Sequence, residues 1–427
     1  MFKKPFFSSG PPRLEYPVIQ NLNPDLVKDI PLPEVATVYL NRPYSPIDAE
    51  ILKKGDSVKT GQRVPADNNG LYFISPVTGT VSTIEEYTGY LGISYTAISI
   101  KRNGEEQSDE GIKAIAGQVS VENALKYLAC LPGCPDFGSF LNRKTPFDTI
   151  VVEGVDNDLL ITTNQFSVEN SNEDFQEGLK ILRELTGAGQ IIVTCFPDSI
   201  FSPSDKNISV IEVEPVYPEA FPQLIMKKTL KKIVPAGKTS EDLGVGFIKA
   251  EAVSALAAAF TRGDAPIEKI ITVTDKSGTL KNARVRIGTP LKTILDALNI
   301  SAEHGDRVVF GGPLNGKSVY SENAPVLYDT DAVVLQAGAD IAVTSDNPCI
   351  NCGECIRACP ANIPVNMLIR LLENSLYEEA VREYNLLSCI ECGLCAYVCV
   401  AQIPVFHYIM LGKNEYLKLQ SMEESNA

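Results

Sequence analysis

The chain has 427 residues, 44% of them hydrophobic, and a formal net charge of −15 at pH 7. That length exceeds a single core and points to two to four domains, and the acidic balance excludes nucleic acid as a partner and docking on an anionic lipid surface by charge alone. No run of about 18 apolar residues occurs, and the start MFKKPFFSSGPP has no apolar stretch long enough for a signal peptide, so the expectation is a soluble cytoplasmic protein that touches a membrane only through a partner.

In chain order, AEILKKGDSVKTGQRV (49–64) and ISPVTGTVSTIE (74–85) read as short strands separated by tight turns at Gly55, Asp56, Gly61 and Gly79. They resemble the barrel-sandwich fold of biotinyl and lipoyl domains. The hairpin Pro76-Val77-Thr78-Gly79 lacks the lysine that such domains use to attach a cofactor, so structural packing is expected there. A charged, glycine-containing stretch then reads as a linker, with a domain boundary near 105–115.

From Asp148 to Pro215 an apolar strand, a helix over 173–186, a strand QIIVTCF and a further β-run follow in turn. Phe175, Leu179, Leu182 and Leu185 recur at helical spacing and Gly187 ends the helix, which is a parallel βαβ, Rossmann-like pattern. An alanine-rich helix spans 249–263. Next come a hairpin turning at Ser277-Gly278, a helix from Pro290 to about Asn299, and the returning strand and turn VFGGPLNG. Strand pair, helix and returning strand predict a β-grasp module. VFGGPLNG lacks the GK[ST] ending of a phosphate loop. The closing residues SMEESNA read as a frayed tail.

The last part of the chain repeats one pattern, CINCGECIRACP at 349–360 and CIECGLCAYVCV at 389–400. C-x2-C-x2-C-x3-C wraps the backbone around a compact iron–sulfur cube, and in two-cluster ferredoxins the fourth cysteine of each run crosses to the other cluster. By that rule Cys349, Cys352, Cys355 and Cys399 hold one 4Fe–4S cluster, and Cys389, Cys392, Cys395 and Cys359 hold the other. Zinc favours paired knuckles with four ligands per ion, and disulfides suit short secreted chains; neither accounts for two full quartets. Two helices separate the runs. Cys130, Cys134 and Cys195 read as ordinary buried cysteines.

With that order in hand, the chain resembles the RnfC family, which supplies one component of the Rnf electron-transport complex. The match covers the barrel residues, RVRIGTPLKTIL with VVFGGPLNG, and the two cysteine runs. In part it also resembles the NqrA component of the sodium-pumping NADH:quinone reductase and the cobalamin reductase of propanediol use. The resemblance implies an α+β multidomain chain: a barrel-sandwich hybrid domain (1–110), a Rossmann-like α/β domain (111–265), a soluble-ligand-binding (SLBB-like) β-grasp domain (266–340) and a helical two-cluster ferredoxin-like domain (341–427). It also implies a component of a larger complex that reaches the inner face of the cell membrane through its partners.

Members of that family take electrons from NADH through FMN, bound by a GGAGFPT-like loop and an acidic ECEP-like stretch. Here the corresponding segments are CLPGCPDFGSF (130–140) and VEGVDNDLL (152–160), with Glu153 as the acidic counterpart. Leu131, Pro132, Cys134 and Pro135 add bulk where backbone amides must approach a phosphate or flavin ring, so FMN is not expected. The function that follows is single-electron relay between the subunits of an oxidoreductase, with no acid–base catalytic residue. An NADH-oxidising flavoprotein and a small-ligand or corrinoid-binding module are the alternatives.

Overall fold

The computed structural model describes residues 12–19, 27–43, 51–68, 70–170 and 172–426; the start MFKKPFFSSGP lies outside them. The protein is a mixed α+β chain built on three principal sheets and a helical C-terminal region.

The first sheet is antiparallel, in the order Val35–Leu40, Ser94–Arg102, Gly79–Thr88, Ser57–Val58. Alternate residues of Val35–Leu40 point inward, as period-two patterning requires, and Ala36, Val38 and Leu40 share a core with Val58, Val81, Ile98 and Ile100. At Gly79 a side chain would run into the Lys101 carbonyl. Two described stretches before Val35, expected in this domain, lie elsewhere: Lys28–Asp29 pair with Leu280–Arg286, and Tyr16 packs against Phe196 and Tyr217. The expected linker is likewise tied down. Thr60 N–H donates to the Gln107 carbonyl at 3.0 Å, and Ile112 enters the core of the next unit.

That unit is a parallel sheet in the order Ile208–Glu212, Gln190–Cys195, Thr149–Glu153, Val245–Lys249. Helices Asn172–Thr186 and Ala250–Arg262 cover one face. They approach so closely that a side chain at Gly178 would overlap the Val253 carbonyl, which is where the alanine-rich sequence matters. Helix Pro222–Lys228 closes the other face with Ile225 and Met226 against Val151, Ile192 and Val245.

The third sheet has six strands. Glu268–Thr274 and Ala332–Gln336 run parallel at its centre, flanked by antiparallel Leu280–Arg286 and Arg307–Phe310. Helix Leu291–Ala297 packs Leu291, Ile294 and Leu295 on it, and Asn299 at φ 55° stops the helix. VFGGPLNG is a strand end and hairpin turn into Lys317–Val319. The C-terminal helix runs Val405–Asn426, so the expected fray at SMEESNA is helical through Asn426.

Candidate metal centre

The C-terminal region is one unit built twice at an interval of 40 residues. Cys349, Cys352, Cys355 and Cys359 become Cys389, Cys392, Cys395 and Cys399, and Ile363-Pro364-Val365 becomes Ile403-Pro404-Val405. The backbone repeats with them. Asn351, Gly353 and Asn362 have φ of 58°, 77° and 56°, and Glu391, Gly393 and Gln402 have 61°, 71° and 58°. Left-handed residues at matching places turn each loop in the same way. A short helix follows each, Glu354–Ala358 and Leu394–Tyr397. Each run then closes in the same β-turn, with Asn362 N–H on the Cys359 carbonyl and Gln402 N–H on the Cys399 carbonyl, both at 3.2 Å. Pro360 occupies the second position of the first turn, where proline is favoured, and Val400 fills that place in the second, so the missing proline alters no turn.

The thiols of the two runs act on one another across the two halves. Burial pushes Cys355 up to about 12, and the thiols that add to it through charge are Cys349, Cys352 and Cys399. Burial likewise pushes Cys392 up to about 12, reinforced by Cys389 and Cys359, and raises Cys395, with Cys389, Cys392, Cys355 and Cys359 adding to it. Thiols crowded in apolar surroundings resist ionisation until a metal takes the thiolate, so the donor set fits iron–sulfur clusters. Among the described residues no three His, Cys, Asp or Glu side chains form a site for a single metal ion.

The two halves differ in what covers them. In the second, Cys392 and Cys395 are buried, and the Tyr217 hydroxyl donates to the Cys392 carbonyl at 2.5 Å. Lys413 Nζ donates to the Cys389 carbonyl and to Glu391 Oε1, both at 2.7 Å. The Leu314 carbonyl lies against Gly393, and the Leu314 and Asn315 N–H groups donate to Asp158 Oδ2 at 3.1 and 2.9 Å. VFGGPLNG thus bridges the parallel sheet to this inner loop. In the first half nothing lies within 4 Å of the place a Gly353 side chain would take, and Ile350 is 56% exposed, whereas Ile390 packs against Tyr217 and its neighbours.

At the parallel sheet, strand order reverses between Thr149–Glu153 and Val245–Lys249, the switch point where open α/β sheets bind ligands. A turn from Cys130 to Cys134 covers it. Gly133 at φ 76° donates its N–H to the Tyr328 carbonyl at 2.7 Å, and a side chain on it would lie 3.1 Å from Lys249 Cβ. Beneath the turn, Lys249 pairs with Asp331, and Lys269, fully enclosed, pairs with Glu251 Oε2 at 3.0 Å. Burial raises Glu153 and Glu251; it works on Asp331 as well, but Lys249 and Lys269 hold that carboxyl below its usual range.

Glu153 was the expected acidic residue here; the sequence pattern did not single out Asp156 and Asp158, both buried. Asp156 accepts the Asn164 N–H at 3.0 Å. Burial pushes Asp156 up to about 7 and Asp158 up to about 6. Their position just after an apolar strand, in VDNDLL, was the available signal. Burial raises Cys130 to about 11 and Cys134 and Cys195 to about 12, which keeps all three as unreactive thiols.

Residues 341–400 match the sequence profile of the 4Fe-4S dicluster domain. Over 84% of its length the chain is 24% identical to the C component of the proton-translocating ferredoxin:NAD(+) oxidoreductase complex of Clostridium ljungdahlii, spanning 82% of that protein. Over 87% it is 25% identical to the C component of the ion-translocating oxidoreductase complex of Methanosarcina acetivorans, spanning 89% of it. Over most of its length the chain is similar to C components of ion-translocating oxidoreductase complexes. It is also 27% identical, over 83% of its length, to the corresponding component of Pectobacterium carotovorum, of which it spans half. Among solved structures, a chain of an NAD+-reducing [NiFe]-hydrogenase aligns with a TM-score of 0.43 at 12% identity, over 67% of this chain and 60% of that one. Among the described residues no helix is long and apolar enough to cross a membrane.

Proposed function

We propose that this chain is the iron–sulfur electron-transfer subunit of a multisubunit oxidoreductase complex, relaying single electrons through two 4Fe–4S clusters. The observation that carries this is the doubled unit itself: eight cysteines at one interval on loops of one backbone shape. Cys349, Cys352, Cys355 and Cys399 would hold the outer cluster, and Cys389, Cys392, Cys395 and Cys359 the inner. The charge coupling of Cys355 to Cys399 and of Cys392 to Cys359 supports the crossing.

When bound, the clusters supply one-electron redox chemistry at potentials set by burial and hydrogen bonding. The residues of the chain do the rest. Leu314, Tyr217 and Lys413 exclude water from the inner loop and fix its carbonyls, while the open edge at Ile350 and Gly353 leaves the outer loop accessible to a redox partner within the complex. A division into a barrel-sandwich hybrid, a Rossmann-like unit and an SLBB-like β-grasp ahead of the cluster domain agrees with the sheet topologies. The turn at 130–134 fills the crevice that a flavin phosphate would need, which favours relay over NADH oxidation. VFGGPLNG, spent on bridging Asp158 to Gly393, favours relay over a small-ligand module.

The test is anaerobic purification with iron and acid-labile sulfide analysis. About eight of each per chain are expected from two cubes, with S = 1/2 signals after reduction. Colourless material that takes up zinc would overturn the reading.

A further inference from the structure

The inner and outer loops share one backbone, yet they differ in their donors: the outer receives Asn366 Nδ2 on the Asn351 side chain at 2.7 Å, whereas the inner receives side-chain donors on the carbonyls of its cysteines. Tyr217, 2% exposed, reaches the Cys392 carbonyl from the parallel-sheet unit, and Lys413 reaches the Cys389 carbonyl from the C-terminal helix. Forty residues before Lys413 stands Glu373, so the pseudo-equivalent position in the outer half carries the opposite charge. Resting on the two-cluster reading, we propose that Tyr217 and Lys413 are positioning residues that hold the inner cluster's reduction potential up against its burial.

The physical reasoning weighs two opposed effects. Reduction adds negative charge to a centre already carrying four thiolates, and withdrawal from water disfavours added charge, so the burial of Cys392 and Cys395 lowers the inner potential. The partial negative charge on the Cys389 and Cys392 carbonyl oxygens acts in the same sense where no donor compensates it. A hydroxyl donating to one and an ammonium donating to the other draw that negative density away, and the ammonium adds a positive charge in surroundings of low dielectric. Lys413 is only 14% exposed, so water screens it little. Glu391, paired with Lys413 at 2.7 Å, works in the opposite sense as the half-exposed counter-charge. Tyr217 is held in place by aromatic neighbours, with ring centroids 5.6 Å from both Tyr16 and Phe221, so a phenylalanine ring fits its place and the change is confined to the hydroxyl.

The experiment is an EPR-monitored redox titration of the anaerobically purified full chain, with both clusters loaded, for wild type, Tyr217→Phe, Lys413→Met, Lys413→Arg and Glu391→Gln. Tyr217→Phe and Lys413→Met should each move the same one of the two midpoints to more negative values and leave the other unmoved. Lys413→Arg should restore the wild-type midpoint, and Glu391→Gln should move it to more positive values. A purely structural role would change iron content or unfolding temperature with both midpoints in place, and that result overturns the proposal, as does a shift of both midpoints together. A wild-type chain with fewer than two clusters would overturn the two-cluster reading itself and this inference with it.

Discussion

The carbonyl oxygen of Leu314 occupies the space that a side chain on Gly393 would need. The two stand 79 positions apart in the chain, and the contact joins the third sheet to the inner cysteine loop. Gly353, its counterpart in the outer loop, has open space around it and nearly the same φ, 77° against 71°.

Alanine at these two positions therefore separates backbone strain from crowding. Gly353→Ala should lose about 1–2 kcal/mol from the left-handed backbone and keep its full iron. Gly393→Ala should lose about 1–3 kcal/mol more from overpacking and bind less iron. Thermal unfolding with iron analysis checks both, and equal losses would mean the Leu314 contact yields freely.

Replacing Cys359 with serine tests the crossing. On the proposed crossing Cys359 closes the set begun by Cys389, so the signal of the inner cluster should be lost or altered while that of the outer persists. Replacing Cys399 should do the reverse. EPR of the reduced variants reads the outcome, and damage confined to the cluster beginning at Cys349 in the Cys359 variant would refute the assignment.

These sites were legible to different degrees. The cysteine runs declare themselves because ligand spacing is local: three sulfurs within seven residues need only one loop. The helix over 172–186 and the hairpin at Ser277-Gly278 were equally local, set by apolar spacing and turn chemistry. Tyr217, Lys413 and Leu314 were not legible, since each reaches the inner loop from a distant segment and nothing in its own neighbourhood marks it. Asp158 was passed over for Glu153 for the same reason. Its role lies in two amide groups more than 150 residues away, at Leu314 and Asn315.

The turn at 130–134 predicts a negative result that can be checked directly. Protein precipitated with acid should release no stoichiometric flavin fluorescence into the supernatant. The turn leaves so little room that a side chain on Gly133 would lie 3.1 Å from Lys249 Cβ, and its Leu131 is fully buried, so a ring and phosphate would have to displace it. One flavin per chain would sink this reading and favour the NADH-oxidising alternative.

Lys269 has no exposed side-chain surface and lies 3.0 Å from Glu251 and 3.6 Å from Asp331. Lys269→Met leaves those carboxylates enclosed with less compensation, and about 3–5 kcal/mol of stability should be lost. Adding Glu251→Gln should recover part of it, since one of the stranded charges is then removed. Denaturant unfolding of the single and double variants measures the difference, and independent, additive losses would show that the pair does not act as a unit.

Asp156 gives the chain a pH dependence whose sign is fixed by its burial. Its carboxyl is raised from 3.8 to about 7, so between those values the folded chain holds a proton that the unfolded chain releases. Stability from this group is complete below pH 3.8 and is lost as pH rises toward 7, by at most about 1.4 kcal/mol per pH unit. Asp158, raised to about 6, adds in the same sense over the lower part of that window. Asp331 shifts the other way, but its contribution falls away only in acid below the ordinary carboxylate range, so it does not offset the other two above pH 5. Asparagine at 156 carries no charge at any pH and keeps one acceptor for Asn164. The unfolding temperature of wild type should therefore drop relative to Asp156→Asn between pH 5.5 and pH 8, and parallel pH profiles for the two proteins would show that the carboxyl at 156 is ionised throughout.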